Sequence, residues 1–187
     1  MGANMLDDMF SNTNRRSYLS LPLAWLQSPG FAAITCWRVA RRLNSGGPMR
    51  KLLSAVIWRY GVVGNGCDIS IRAQIGPGLR LPHPVGVVIG EGTVIGSNVT
   101  IYQNVTLGRA KENENAYPVI HDGCTLFAGA VLIGHLEVGA GAKVGANSVV
   151  LRNVASGATV AGAPARELGA GSEQTQSPTE ILRSEGG

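Results

Sequence analysis

The 187 residues predict a mainly β chain wound as a parallel β-helix, with a short helical cap in front of it. Three observations carry this prediction: an aliphatic residue that returns every six positions, an abundance of glycine beside few aromatics, and two breaks in an otherwise regular count. The period comes first. Ile69, Ile75 and Leu81 are followed, after a shift of two residues, by Ile89, Ile95, Ile101 and Leu107; the count resumes at Ile120, Leu126, Leu132, Val138, Val144 and Val150. Six is neither the helical 3.6 nor a plain alternation of two, and repeats of this kind signal solenoids. It fits a three-sided prism in which each flat face takes one hexapeptide and the aliphatic residue points inward. Four residues on stand compact side chains (Ala73, Thr93, Val99, Val105, Cys124, Ala130, Ala142, Ser148) that fill the corners. Glycine often follows the aliphatic residue directly, as at Gly76, Gly90, Gly96, Gly108, Gly139 and Gly145, and is read as supplying backbone conformations that other residues resist.

Composition agrees. Glycine numbers 26 and aromatics only 5%, too few large side chains for an ordinary jigsaw core, whereas 44% hydrophobic content excludes a chain disordered throughout. In chain order, residues 1–29 read as a flexible N-terminal segment, 30–62 as a helical cap, 63–168 as the β-helix and 169–187 as a flexible tail. Within the cap, Phe31, Ile34, Ala40 and Leu43 lie near helical spacing between "SP" and "NSGG", and Leu52, Leu53, Val56, Ile57 and Tyr60 form a second stripe; both are expected to cover the first coil. Residues 1–60 hold eight basic residues against Asp7 and Asp8, while the remainder is near neutral. No aromatic-interleaved basic motif accompanies the charge, so nucleic acid is not expected; a solvated face is the plain reading and peripheral contact with a membrane surface the sharper one. The apolar runs are too short to span a bilayer. Cys36, Cys67 and Cys124 form no CxxC pair, which predicts reduced thiols and a cytoplasmic protein.

Function is expected at the two breaks, because insertions in a solenoid leave as loops on one side. The first is "LPHPVGVVIG"; the second is the polar stretch 108–118 between Leu107 and Ile120. His83 lies in the first. An imidazole near its ordinary pKa suits proton abstraction at neutral pH. Asp68 stands fifteen residues earlier, a little less than one eighteen-residue coil, so it can lie beneath His83 and fix its tautomer. The plainer readings are a loop histidine packed between Pro82 and Pro84, and an aspartate ending a turn after "GNGC".

The segments "LPHPVGVVIGEGTVIGSNVTIYQNVTLG", "LEVGAGAKVGANSVVLRNV" and "VAGAPAR" resemble hexapeptide-repeat acyltransferases of the serine acetyltransferase type over about residues 30–168. The resemblance implies a left-handed β-helix, a homotrimer, and acetyl-CoA as co-substrate in grooves between adjacent prisms. It implies His83 as general base and Asp68 as its orienting carboxylate, with Ala128, Lys143 and Ala146 along the pantetheine arm and nucleotide. Gly108 would then lie near the thioester, and Ala163 and Arg166, in "AGAPAR", where the chain leaves the last coil. No metal is expected. The pattern departs from that family at the acceptor: Pro82 stands where an aspartate usually precedes the histidine, and Ala116-Tyr117 where Arg-His precedes the second-loop proline. The helical preface is also shorter, and the chain ends in Glu-Gly-Gly rather than isoleucine. The shorter pattern is similar to capsule and exopolysaccharide O-acetyltransferases. A sugar hydroxyl of a surface polysaccharide is therefore the favoured acceptor, with Tyr117 and Pro82 as substrate-side residues, and serine the alternative. Tyr117 suits stacking on a sugar ring or plain packing. Two other classes compete: a zinc enzyme of the γ-carbonic-anhydrase kind, for which His83, His121 and His135 lack the ligand spacing, and a non-catalytic scaffold.

Overall fold

The structure is a computed structural model and describes residues 2–15, 17–113 and 115–169. The tail read at 169–187 therefore lies, from residue 170 on, outside the described residues.

Among the described residues four α-helices precede the repeat: α1 (Gly2–Thr13), α2 (Leu21–Gln27), α3 (Pro29–Asn44) and α4 (Pro48–Asn65). Local chemistry explains their ends. Ser28 caps α3, its hydroxyl accepting from the Phe31 amide, with Pro29 in the first turn; Gly66 ends α4 in the left-handed conformation. The Trp37 and Trp58 indoles donate to the Ser70 and Ile69 carbonyls (2.8 and 2.9 Å) and fasten α3 and α4 to the first coil.

Fourteen short strands follow: β1 (Asp68–Ile69), β2 (Gln74–Ile75), β3 (Val88–Ile89), β4 (Val94–Ile95), β5 (Thr100–Ile101), β6 (Thr106–Gly108), β7 (Val119–Ile120), β8 (Thr125–Leu126), β9 (Val131–Ile133), β10 (Glu137–Val138), β11 (Lys143–Val144), β12 (Val149–Val150), β13 (Thr159–Ala161) and β14 (Arg166–Glu167). They sort into three sheets, β1-β3-β6-β9-β12, β2-β4-β7-β10 and β5-β8-β11-β13-β14. Every pairing is parallel except β13 with β14. Successive strands visit the sheets in turn, which is a three-faced parallel β-helix. Within it, Ile89 sits over Leu107 and Ile120 over Val138, one eighteen-residue coil apart.

The inward residues are those the period names. Twelve of the thirteen aliphatics are buried, as are all eight compact corner residues. Ile75 is the exception and is half-buried, because it lines an open groove beside Trp37 and Arg38 at the first coil.

Three expectations are corrected. Residues 1–29 are not a loose lead-in. Asp8 of α1 is fully buried, pairs with Arg38 and accepts from the Gly78 and Leu79 amides (3.0 and 3.1 Å). The Asn12 side chain donates to the Leu79 carbonyl and accepts from the Leu81 amide. Second, the stripe Leu52, Leu53, Val56 and Tyr60 does not cover the first coil: these side chains are exposed. The buried side of α4 is built from Ser54 and Gly61, whose small size lets α3 come close; the Ser54 hydroxyl donates to the Ala40 carbonyl, and a Cβ on Gly61 would meet Cys36 Cβ at 3.0 Å. Third, the glycines after the aliphatics are required by close approach rather than by unusual dihedrals. A Cβ on Gly76 would come 2.7 Å from the Gly96 backbone, and one on Gly139 2.5 Å from the Ser156 amide nitrogen. Gly108 alone of that set has room for a Cβ, which would meet only Thr106 Cγ2, at an ordinary 3.9 Å.

Candidate active site

His83 lies at the prism edge crossed on passing from the third sheet to the first. The chain pairs Arg80 with Thr100 in the third sheet, turns through Pro82-His83-Pro84, and enters the first at Val88. The turn is tight. Pro84 is buried and Pro82 half-buried, the Val87 amide donates to the Pro84 carbonyl, and Gly86 adopts φ +74°. His83 itself is exposed.

The same edge recurs in every coil above. Ala128 follows β8 and precedes β9, Ala146 follows β11 and precedes β12, and Ala163 follows β13. The Ala128 carbonyl accepts from the Asn147 amide, tying one edge turn to the next. Tyr102 and Phe127 stack on adjacent turns of this edge, ring centroids 5.5 Å apart. With rungs about 4.8 Å apart, Ala146 stands three coils, roughly 14 Å, above His83. Lys143 and Arg166 are exposed on the sheet that leads into the edge, Lys143 between Thr125 and Thr159. A histidine, a run of small turn residues and two cations thus share one side of the prism. That arrangement suits a long, thin, anionic ligand better than a compact one.

Asp68 begins the first sheet one rung below His83. Its amide donates to the Val87 carbonyl and its Cα partner is Val88, while Gly86 bonds to the Gly66 carbonyl (2.7 Å). The two backbones therefore occupy adjacent rungs, but this coil takes twenty residues and Asp68 is in register with Val88, five residues beyond His83. Both side chains are exposed and no hydrogen bond joins them among the described residues. Asp68 also lines a groove of about 600 Å³ with Trp58, Arg72 and Glu91, the last two an exposed ion pair.

Gly108 and Tyr117 are not brought to His83. They flank the polar loop at the edge between the first and second sheets. Tyr117 is half-buried and its ring lies over Gly90 and Gly92; a Cβ on Gly90 would meet Tyr117 Cε1 at 2.6 Å. Packing accounts for both glycines. The cysteines are buried and unpaired, and burial pushes all three thiols up, Cys67 to about 12 with help from Asp68. They are not activated nucleophiles. His121 faces Glu137 at 3.4 Å. Among the described residues no group of three or more His, Cys, Asp or Glu side chains is placed to hold a metal.

This coil is the architecture of the hexapeptide transferases. The bacterial transferase hexapeptide pattern (six repeats) matches residues 117–152. Serine acetyltransferase 4 of Arabidopsis thaliana is 43% identical over 162 residues, which is 86% of this chain and 45% of the relative. The serine acetyltransferase of Escherichia coli strain K12 is 41% identical over 151 residues, 80% of this chain and 54% of the relative. Soybean serine acetyltransferase complexed with serine superposes with a TM-score of 0.76 at 36% identity, covering 88% of this chain and 68% of that one. A serine acetyltransferase complex with CoA gives 0.75 at 36%, with the same coverage. The chain belongs to the serine acetyltransferase family. It spans about half the length of the curated relatives it matches. These matches support the serine acetyltransferase side of the resemblance and not the closer kinship with capsule and exopolysaccharide enzymes.

Proposed function

We propose that this chain is an acetyl-CoA-dependent O-acetyltransferase that uses His83 as general base. The observation that carries the reading is the shared edge: His83 in the second coil stands in line with Ala128, Ala146 and Ala163 above it, beside Lys143 and Arg166. Small turn residues let a pantetheine arm approach the backbone, and the two cations offer charge to its phosphates. His83 takes the proton of the acceptor hydroxyl as the oxygen attacks the thioester carbonyl. The C–S bond then breaks, the thiolate leaves with the proton returned by the imidazolium, and an ester and free CoA remain. Asp68, one rung below, orients the imidazole and steadies its charged form.

For the acceptor, the relatives favour serine over the polysaccharide hydroxyl that the sequence put first. One observation keeps the sugar as a second reading. Ala116 and Tyr117 carry no charge for a carboxylate, and Tyr117 is packed on Gly90 and Gly92. The left-handed winding and the homotrimer belong to the same proposal. Gly108 and Tyr117 sit on a different edge from His83, so a neighbouring copy is what can complete the site; the outward residues Val88, Thr106, Val131 and Val149 of the first sheet offer an uncharged face for it. The unpaired thiols support a cytoplasmic setting. The test is release of free CoA from acetyl-CoA with serine, homoserine and a panel of sugars, read beside His83→Ala. Turnover of serine alone favours the first acceptor and of sugars alone the second. No release with any alcohol refutes the enzyme and leaves the scaffold.

A further inference from the structure

Among the described residues nothing covers the outer face of α4. Met49, Leu52, Leu53, Val56, Tyr60 and Val63 recur at steps of three and four, so they form one stripe along the helix, and each is between 49% and 76% exposed. Burying such side chains is worth more than leaving them wet, and a patch of this extent on a folded protein marks a surface that something covers. The charge around it says what. From residue 9 to residue 67 the chain has no aspartate or glutamate, while Arg15, Arg16, Arg38, Arg41, Arg42, Arg50, Lys51 and Arg59 lie in that stretch. Arg38 is spent on Asp8, but Arg50, Lys51 and Arg59 are exposed on α4 itself, and Arg59 is followed at once by Tyr60 of the stripe. A second copy docked on this face would bring like charges together with no acid from this stretch to offset them. An anionic surface would not.

We propose that the outer face of α4 is a peripheral docking surface for an anionic lipid bilayer, with the helix lying in the interface plane. Met49, Leu52, Val56, Tyr60 and Val63 enter the boundary between headgroups and acyl chains, and Arg59, which stands three residues from Val56 and four from Val63 and so flanks the stripe, meets lipid phosphate. None of these residues belongs to the catalytic proposal, so the inference stands without it. No described helix is long and apolar enough to cross a membrane; this one lies on it.

The test is co-sedimentation of the full chain with vesicles of phosphatidylcholine containing phosphatidylglycerol, beside vesicles of phosphatidylcholine alone. The anionic vesicles should bind the chain far more tightly, and the binding should weaken as salt rises above physiological strength and the Debye length shrinks below about 8 Å. Replacing Arg59 with glutamine should weaken that binding by about fivefold. Leu52→Ser with Val56→Ser and Val63→Ser should abolish it while helix content and CoA release stay as in the parent. Should that triple variant fail to fold, Leu52→Ser alone, at an exposed site, takes its place and should lower the affinity. Equal binding to both vesicles, no binding to either, or full binding by the serine variants overturns the proposal. So does concentration-dependent association without vesicles that the serine variants remove, since a second copy would then own the face.

Discussion

Replacing Asp8 with alanine tests how firmly the first helix is tied to the coil. The carboxylate is fully buried and Arg38's side chain is 9% exposed, so deletion leaves the guanidinium with the Ile75 and Gly76 carbonyls but no counter-charge. It also leaves the Gly78 and Leu79 amides without their acceptor. Breaking a buried pair from one side costs about 3–5 kcal/mol. For a chain of this size each kcal/mol moves the melting temperature by roughly 2–4 °C, so Asp8→Ala should melt about 6–20 °C below the parent. The intact pair itself contributes far less. Burial pushes the Asp8 carboxyl above the usual aspartate value, against the pull of Arg38 and the two amides, so desolvation consumes much of the attraction. The double variant Asp8→Leu with Arg38→Met should therefore recover more than half of the loss. The assay is a thermal melt followed by circular dichroism, with the parent and both variants under one buffer. A melt of Asp8→Ala within 2 °C of the parent, or a double variant lower than the single, would refute the reasoning.

His83→Ala should lower CoA release by about 10²–10⁴-fold with oligomer mass unchanged, and Asp68→Asn should lower kcat while leaving KM for acetyl-CoA near the parent value. Gly86→Ala places a side chain at φ +74° and against Asn104 Oδ1, which should cost about 1–2 kcal/mol in a denaturant melt; Gly108→Ala, where a Cβ has room, should cost nothing measurable. Cys67 should resist alkylation near pH 8 in the folded chain and react on unfolding. Because its folded value is about 12 against an ordinary 9.0, the stability it contributes is present below about pH 9 and is lost as pH rises from there toward 12. Melts across that range should fall in the parent and fall less in Cys67→Ala.

Much of the fold was legible because one number, six, fixes three things at once: which residue points inward, which face it lies on and which edge follows. That is why the stacking of Ile89 over Leu107 is legible in the period, whereas Ala128 and Ala146 enter only through the family resemblance. The period says nothing about contacts made across long separations. Asp8 and Asn12 find their partners about seventy residues away in the backbone of 78–81, and backbone groups leave no mark in a sequence. The α4 stripe was assigned to the wrong side for a related reason. Apolar spacing shows that a face exists, not what covers it, and Ser54 and Gly61 were too small to advertise themselves as the packing side. The last coil lies within the 63–168 span, but its inward positions fall off the six-residue count because it is shorter than the rest: Val160 sits over Val144 only sixteen residues on. At the site, the spacing put Asp68 and His83 on adjacent rungs but could not set their side-chain torsions.

A parallel coil has no intrinsic length, since each finished turn offers the next one an identical template. Here β14 turns back and runs against β13, through Leu168 bonding to the Thr159 carbonyl. A reversed strand presents the alternating pattern of an antiparallel edge, which another forward-running turn cannot match. The reversal acts as a terminator, and head-to-tail growth of prism upon prism into a filament is blocked at that sheet by polarity rather than by bulk.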